Sequence, residues 1–459
     1  MENVYRQGHD IIICKREDCI HIGKVNMQET REFYGFDQYI TGKMLKIEKA
    51  DQRHFTEEER YLAYRLFLQR TRKNRMAATL TIKKWFGLNG TKRPNREMLF
   101  QLGFLFGHSL EEQRIMLVEG ALEPDFQVND YREMIFLYGF YQQMTYEDCL
   151  QMIREFEDKF PRDFTLNQHN FTCNMWAAYG CNCDLPKQEF LEWMLKHAED
   201  FKGYSQTVLS YFKNIKTEIL KEIKSDALRR LDELLSETGF EKWNAKWGIR
   251  SESRLRAVAR YLKSNQCENA DFVSQELKMA IMELLEIGKK SVDSNTDLLA
   301  ELYTDLYQKI HSDKKRYSRR QIHLMDDKYL SDLLNIATQK EKLMRLIVRD
   351  DPDPDRKTYE IREQQRRCVL LGRQDILPLI LCVSQKRYMR RLEKENYDMR
   401  EAKQVFVDLA EQILAACQMA GFDEDKYELD HLLGSCYRPD EMYSLADVLE
   451  IYFGENAQI

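Results

Sequence analysis

The chain has 459 residues, of which 43% are apolar and 32% charged, with only 8 Pro and 19 Gly. This composition excludes a disordered chain, and so few turn-formers argue for long helices and against a β-rich fold. The net charge is −6, yet the eleven Lys and Arg between Arg60 and Arg96 meet no Asp or Glu in that stretch, so taking them away leaves −17 for everything else.

A chain of this length is expected to hold roughly two to four domains, and breaks are expected to divide it into 1–50, 51–160, 161–348 and 349–459. No run of about 18 apolar residues occurs, so no membrane-spanning helix and no membrane partner are expected. The opening MENVYRQGHD has no apolar signal core, so secretion is not expected. The eleven cysteines are scattered without a small-protein framework. They fit reduced thiols, and the expected location is the cytoplasm.

Taken in chain order, residues 10–14 (DIIIC) and 19–22 (CIHI) flank a polar run and predict a short β-hairpin. Cys14, Cys19 and His21 are only three potential zinc ligands at a non-standard spacing, so no metal is expected there. Thr56-Glu-Glu-Glu is a capping box that opens a helix over 57–74, and a shorter helix over 77–86 ends in Gly87-Leu88-Asn89-Gly90. The basic island spans both: Arg60, Arg65, Arg70, Arg72, Lys73, Arg75, Lys83, Lys84, Lys92, Arg93 and Arg96. A basic island in an acidic chain points to a polyanionic partner; the alternative is a solvated face paired with acids from elsewhere in the fold.

From Arg96 to Glu155 the same unit occurs twice. REMLFQLGFLFGHSLEEQRIMLVE begins at Arg96, and REMIFLYGFYQQMTYEDCLQMIRE begins at Arg132, 36 residues later with no gap. Each copy predicts a helix with a broad apolar face, then a capped second helix opened by Ser109 or Thr145. A repeat with one helical pair per unit predicts stacked helical hairpins. Gly103 and Gly139 fall mid-helix at the same place, where glycine is unfavourable, so both are expected to face another helix at short range.

Residues 82–87 (IKKWFG), then 92–96 (KRPNR), then 99–109 (LFQLGFLFGHS) and Leu110-Glu111-Glu112 carry a resemblance. The stretch resembles the lambda-repressor-like (Xre-type) helix-turn-helix proteins. More closely, it resembles a poorly characterised Gram-positive bacterial group in which such a domain precedes helical repeats. In that family the segment corresponding to 82–87 is the end of the recognition helix. The resemblance covers roughly residues 57–155. Between Arg72 and Lys83 there is no room for a separate second helix, a turn and a recognition helix. Either the helix from Glu57 takes that role at unusual length, or the motif has decayed. The resemblance implies contact with double-stranded DNA, and the residues expected to carry it are Arg70, Arg72, Lys73, Arg75, Thr79, Thr81, Lys83, Lys84, Lys92, Arg93 and Arg96.

Beyond residue 163 helix is expected to follow helix. Cys173, Cys181 and Cys183 lack a fourth ligand and are expected to be ordinary thiols. Trp243 and Trp247 are expected to pack one helical face. Lys314–Arg320 is a second basic patch, 349–356 a linker, and a helix over 359–396 carries Arg366, Arg367, Lys386, Arg387, Arg390 and Arg391. The end of the chain looks like a degenerate further hairpin, and its Asp430-His431 pair is expected to be structural. No phosphate-binding glycine loop, nucleophile elbow or His-Glu-x-x-His occurs. No enzyme activity and no cofactor are therefore expected.

The expected fold is all-α: a helix-turn-helix-like domain, duplicated helical hairpins and a long helical array, with a short N-terminal β-hairpin. The expected function is a cytoplasmic DNA-binding regulator whose helical repeats bind a protein partner or self-associate. The competing reading is a non-enzymatic scaffold or adaptor that no longer binds DNA, in a mobile-element or phage-defence setting implied by the resemblance alone. The two readings diverge at Thr79, Thr81, Lys83 and Lys84. A regulator needs them at the surface of one helix, whereas a scaffold can bury them or pair them with acids.

Overall fold

The computed structural model describes residues 33–47, 54–72, 76–160, 170–201, 203, 205–264, 267, 274–289, 298, 302, 371–391, 397–449 and 451, and the backbone of 3–7, 10–14, 450 and 452–453. The expected strand 19–22, Lys73, Arg75, the patch 314–320, the linker 349–356 and Arg366 and Arg367 lie outside the described residues. Near the start, Asn3–Gln7 pairs antiparallel with Asp10–Cys14. The other regular elements described are helices, apart from an isolated antiparallel bridge between Tyr437 and Met442.

Among the described residues, nine α-helices build the first core: α1 (Phe36–Leu45), α2 (Glu57–Arg70), α3 (Thr79–Trp85), α4 (Arg96–Phe106), α5 (Leu110–Ile115), α6 (Tyr131–Tyr141), α7 (Tyr146–Lys159), α8 (Thr172–Asn182) and α9 (Lys187–Lys196). Thr56, Ser109 and Thr145 each accept from the backbone three residues on, and the acid there bonds back. These reciprocal caps satisfy amides that the first helical turn would leave orphaned.

The two repeated hairpins, α4–α5 and α6–α7, meet reciprocally. Phe100 stacks on Phe136 at 5.1 Å, and Phe104 on Phe140 at 4.0 Å. Arg96 Nε donates to Glu133 Oε1 at 2.7 Å, while Arg132 pairs with Glu97 at 3.5 Å. Residues 36 apart therefore face their own counterparts, and α4 and α6 run side by side in one direction. The glycines sit where each first helix meets the second helix of its own hairpin and a ring of the other. A Cβ on Gly103 would run into Gln113 and come within 2.9 Å of Phe140, and one on Gly139 would run into Cys149 and come within 3.3 Å of Phe104. Gln113 and Cys149 are again 36 apart. Burial pushes the Cys149 thiol up to about 12, so it serves here as an apolar filler.

The expected boundary at 160 does not divide the core. Helices α8 and α9 continue the stack: Tyr138 lies on Phe190 at 4.0 Å, Phe156 meets Phe201 edge-on, and the core runs from Phe36 to Phe201. The boundary at 50 is also crossed, because Phe36, Ile40 and Met44 of α1 belong to the same core.

Helix α10 (Gln206–Ser236) is a spine with two partners. Its apolar positions recur every three or four residues. From Val208 to Ile223 they join the core of α14 (Arg373–Arg391), α15 (Met399–Ala416), α16 (Glu428–Gly434) and α17 (Leu445–Phe453). From Ala227 to Leu235 they join α11 (Phe240–Trp247), α12 (Arg254–Leu262) and α13 (Gln275–Lys289). Trp243 packs on Phe240 and Tyr261, but Trp247 is exposed. Only one of the two tryptophans packs the helical face, because the chain leaves the helix at Gly248 before a partner can cover the second.

The C-terminal helices repeat one device of the first core. Arg96 also donates to the carbonyls of Pro124 and Asp125, at 2.7 and 2.8 Å. Arg373, at the start of α14, donates to the carbonyls of Ala420 and Gly421, at 2.9 and 2.8 Å, and pairs with both oxygens of Asp430. Glu133 also accepts from the Gln127 amide, as Asp430 does from Asp423, and Leu122 and Gln418 both take positive φ ahead of the loop. Asp430 is thus structural; burial raises its pKa although Arg373 beside it works the other way. This end of the chain docks back onto the first core, with Tyr34 N–H donating to Lys426 O, Asp125 N–H to Gln418 O, and Trp176 Nε1 to Gln418 Oε1.

Candidate nucleic-acid interface

Helices α2 and α3 cross over an aromatic cluster. Phe67 meets Trp85, Phe86 and Phe106 edge-on at 5.5–6.0 Å, and Tyr64 meets Phe86 at 6.0 Å. All five rings lie on α2, at the end of α3 and at the end of α4, so the cluster fixes the outer surfaces of α2 and α3 relative to the repeat. At the end of α3, Gly87 takes φ +72°, and a Cβ there would meet the Arg60 guanidinium and Asp37. Glycine is required at that position on both counts. Arg60 itself pairs with Asp37 and donates to the carbonyls of Phe55 and Phe86. It staples α1, α2 and the end of α3 together.

The basic island therefore divides. Four of its members face inward or to the backbone. Arg60 is the staple just described. Arg96 is buried; burial works against its charge, but Glu133 beside it prevails and raises its pKa. Arg93 donates to Ala121 O at 2.8 Å and pairs with Glu123 at 3.3 Å. Arg70 donates to Phe106 O at 3.1 Å, at the end of α4. Arg96, expected to contact DNA, is instead committed to the fold, and Arg93 and Arg70 are partly so. The physical reason is position: Arg96 opens α4 directly beneath the carbonyls of 124 and 125, where a fork of donors is needed.

The remaining described members are exposed or half-buried. Arg72, Lys84 and Lys92 are exposed, as is Thr79; Thr81 and Lys83 are half-buried. Lys73 and Arg75 lie outside the described residues. Among the described residues, Arg72, Lys83, Lys84 and Lys92 pair with no carboxylate, nor does Arg65 on the outer face of α2. Lys83 Nζ lies 5.9 Å from the centre of the Tyr64 ring, at cation–π range. Sequence reasoning placed Arg65 in the island without assigning it to the site, and it passed over its apolar neighbours Tyr61, Leu62, Leu66 and Leu80, all exposed. The available signal was the spacing 61, 62, 65, 66, one helical face on which apolar residues alternate with a cation.

Beside this surface lies a buried histidine. His108 Nδ1 is 3.4 Å from Gln113 Oε1, and Nε2 has no partner. Burial and the nearby Lys43 hold its pKa down at about 4. Glu112, bonded to Lys43 at 2.6 Å and to its own cap, is held at about 2.

The other basic run differs. On α14, Arg387 forks onto Glu218 of α10 at 2.8 Å, Arg390 pairs with Glu222, and Lys386 with Asp226 at 3.8 Å. Among the described residues Cys173, Cys181 and Cys183 gather no ligand cluster: Cys173 and Cys181 are exposed and Cys183 half-buried. Among the described residues, the group that gathers three candidate ligand atoms within 4.8 Å is His197, Glu199 and Asp200, on the turn after α9. No helix among the described residues is long and apolar enough to cross a membrane. Comparisons with protein-family models, curated proteins and solved structures find no match.

Proposed function

We propose that the chain binds DNA through the α2–α3 face and acts as a regulator-like protein, with the hairpin stack and the α10 array as its rigid body and protein-binding surface. The observation that carries this is the set of five cations, Arg65, Arg72, Lys83, Lys84 and Lys92, that find no carboxylate among the described residues of an acidic chain. A scaffold had every opportunity to neutralise them, as α10 neutralises α14. Cations left without carboxylate partners raise the local concentration of a polyanion and neutralise its phosphates. The exposure of Thr79 and Lys84 favours this reading over the scaffold.

Contact of this kind is mainly electrostatic. Affinity for duplex DNA should fall steeply with salt, with a log–log slope of about −0.9 per neutralised phosphate. Anisotropy titrations of a labelled duplex at several salt concentrations test it. A slope steeper than about −3 supports the reading, and no binding at low salt returns the chain to the scaffold class.

A further inference from the structure

Leu80 is 67% exposed, more than any other large apolar residue described. It lies one turn before Lys83 and Lys84, so the three share a face of α3. Lys83 reaches Tyr64 on α2, and Tyr64 lies 6.0 Å from Tyr61, which is 49% exposed. Leu62, Arg65 and Leu66 continue along α2 from Tyr61. The result is a set of exposed apolar side chains on two helices joined through Tyr64, bordered by cations without carboxylate partners among the described residues. Scattered single apolar side chains need no explanation, but a bordered set marks a binding surface. Its occupant must be apolar and negative at once. A second copy of the same face would bring like charges together. Intact duplex DNA supplies phosphates but keeps its base faces stacked, so it offers an exposed tyrosine ring no base face to lie on. An unpaired strand supplies both, since every base has a face that stacks on an aromatic ring.

We propose that the α2–α3 face binds unpaired DNA, single-stranded or in a melted segment. Tyr61 and Leu80 take base faces, while Arg65, Lys83 and Lys84 hold the phosphates. This rests on the DNA-binding reading above and adds strandedness to it. The test uses the full chain and anisotropy at one salt concentration. The probes are a mixed-sequence single strand, the matching duplex, and that duplex with a central unpaired bubble. Vesicles of phosphatidylcholine and phosphatidylserine, assayed by co-sedimentation, are the fourth arm. The single strand and the bubble should bind about tenfold or more tighter than the duplex. Tyr61→Ala should cost the single strand about tenfold and leave the salt slope and duplex affinity unchanged. Leu80→Ser is the second variant, and because both side chains are exposed neither should disturb folding. Equal affinity for single strand and duplex, with both variants silent, would overturn the strandedness and leave DNA binding standing. Binding to vesicles with no binding to any DNA would overturn both.

Discussion

Two regions of this molecule carry runs of positive charge, and they are used in opposite ways. On α14, Lys386, Arg387 and Arg390 meet Asp226, Glu218 and Glu222, an acidic row at four-residue spacing on α10. On α2, α3 and the turn after it, Arg65, Arg72, Lys83, Lys84 and Lys92 meet no described carboxylate. A charge run is therefore a site only when the fold declines to neutralise it. The sequence alone cannot distinguish the cases, because the acids that decide it lie more than 150 residues away, as Glu218 does from Arg387. Each region also holds one buried arginine, Arg96 or Arg373, that the fold consumes entirely.

That contrast can be broken most easily at the buried arginines. Arg373→Ala should strand Asp430, which is fully buried, and cost about 3–5 kcal/mol. Arg96→Ala should cost nearly as much, whereas Lys84→Ala in the same basic island should stay within about 0.5 kcal/mol. Denaturant midpoints would show it, and an innocuous Arg96→Ala would mean that Arg96 is as free as Lys84.

The next effect belongs to the repeat that holds the basic face in place. Gly103→Leu should overpack the contact with Gln113 and Phe140 and cost about 1–3 kcal/mol. At the equivalent site, Gly139→Ala should be destabilising, and adding Cys149→Ala should recover part of the loss, since Cys149 is the side chain in the way. An unchanged melting temperature in Gly103→Leu would count against close approach of the two hairpins.

Beside the basic face, His108 is neutral in the fold, with a pKa of about 4 against an ordinary 6.5. The unfolded chain therefore binds more protons between these values. The His108 contribution is complete above pH 6.5, declines as pH falls, and is lost below about pH 4. Its full size is on the order of 3 kcal/mol. Glu112, held at about 2, acts in a lower window, so His108→Gln should flatten the stability profile between pH 4 and 6.5 alone. A profile unchanged by that substitution would place the loss elsewhere. A smaller effect is expected at Arg387→Ala, a half-exposed pair worth under about 1 kcal/mol.

Much of the fold was legible. The offset of 36 residues, the three capping boxes and the paired glycines are local patterns, and each is found in the structure with the expected partner. The C-terminal counterpart was harder to see because only its buried working parts persist: Arg373, Asp430 and the positive φ at Gln418. A few residues at irregular offsets leave no periodic signal. The surface site was half legible. Its cations were visible as a run, but which of them turn inward depends on where carbonyls such as Pro124 and Asp125 end up. Its apolar component, Tyr61 and Leu80, reads in sequence as ordinary core and becomes notable only when the structure leaves it uncovered.

The central claim is that the unpaired cations, and not the neutralised ones, meet phosphate. The direct test is the salt dependence of DNA binding in two triple variants, Lys83→Ala/Lys84→Ala/Lys92→Ala and Lys386→Ala/Arg387→Ala/Arg390→Ala, beside the parent chain. The first should flatten the log–log slope by about 2–3 and weaken every sequence alike. The second should leave slope and affinity where they were. Equal slopes in all three proteins, or a loss confined to the α14 variant, would contradict the account.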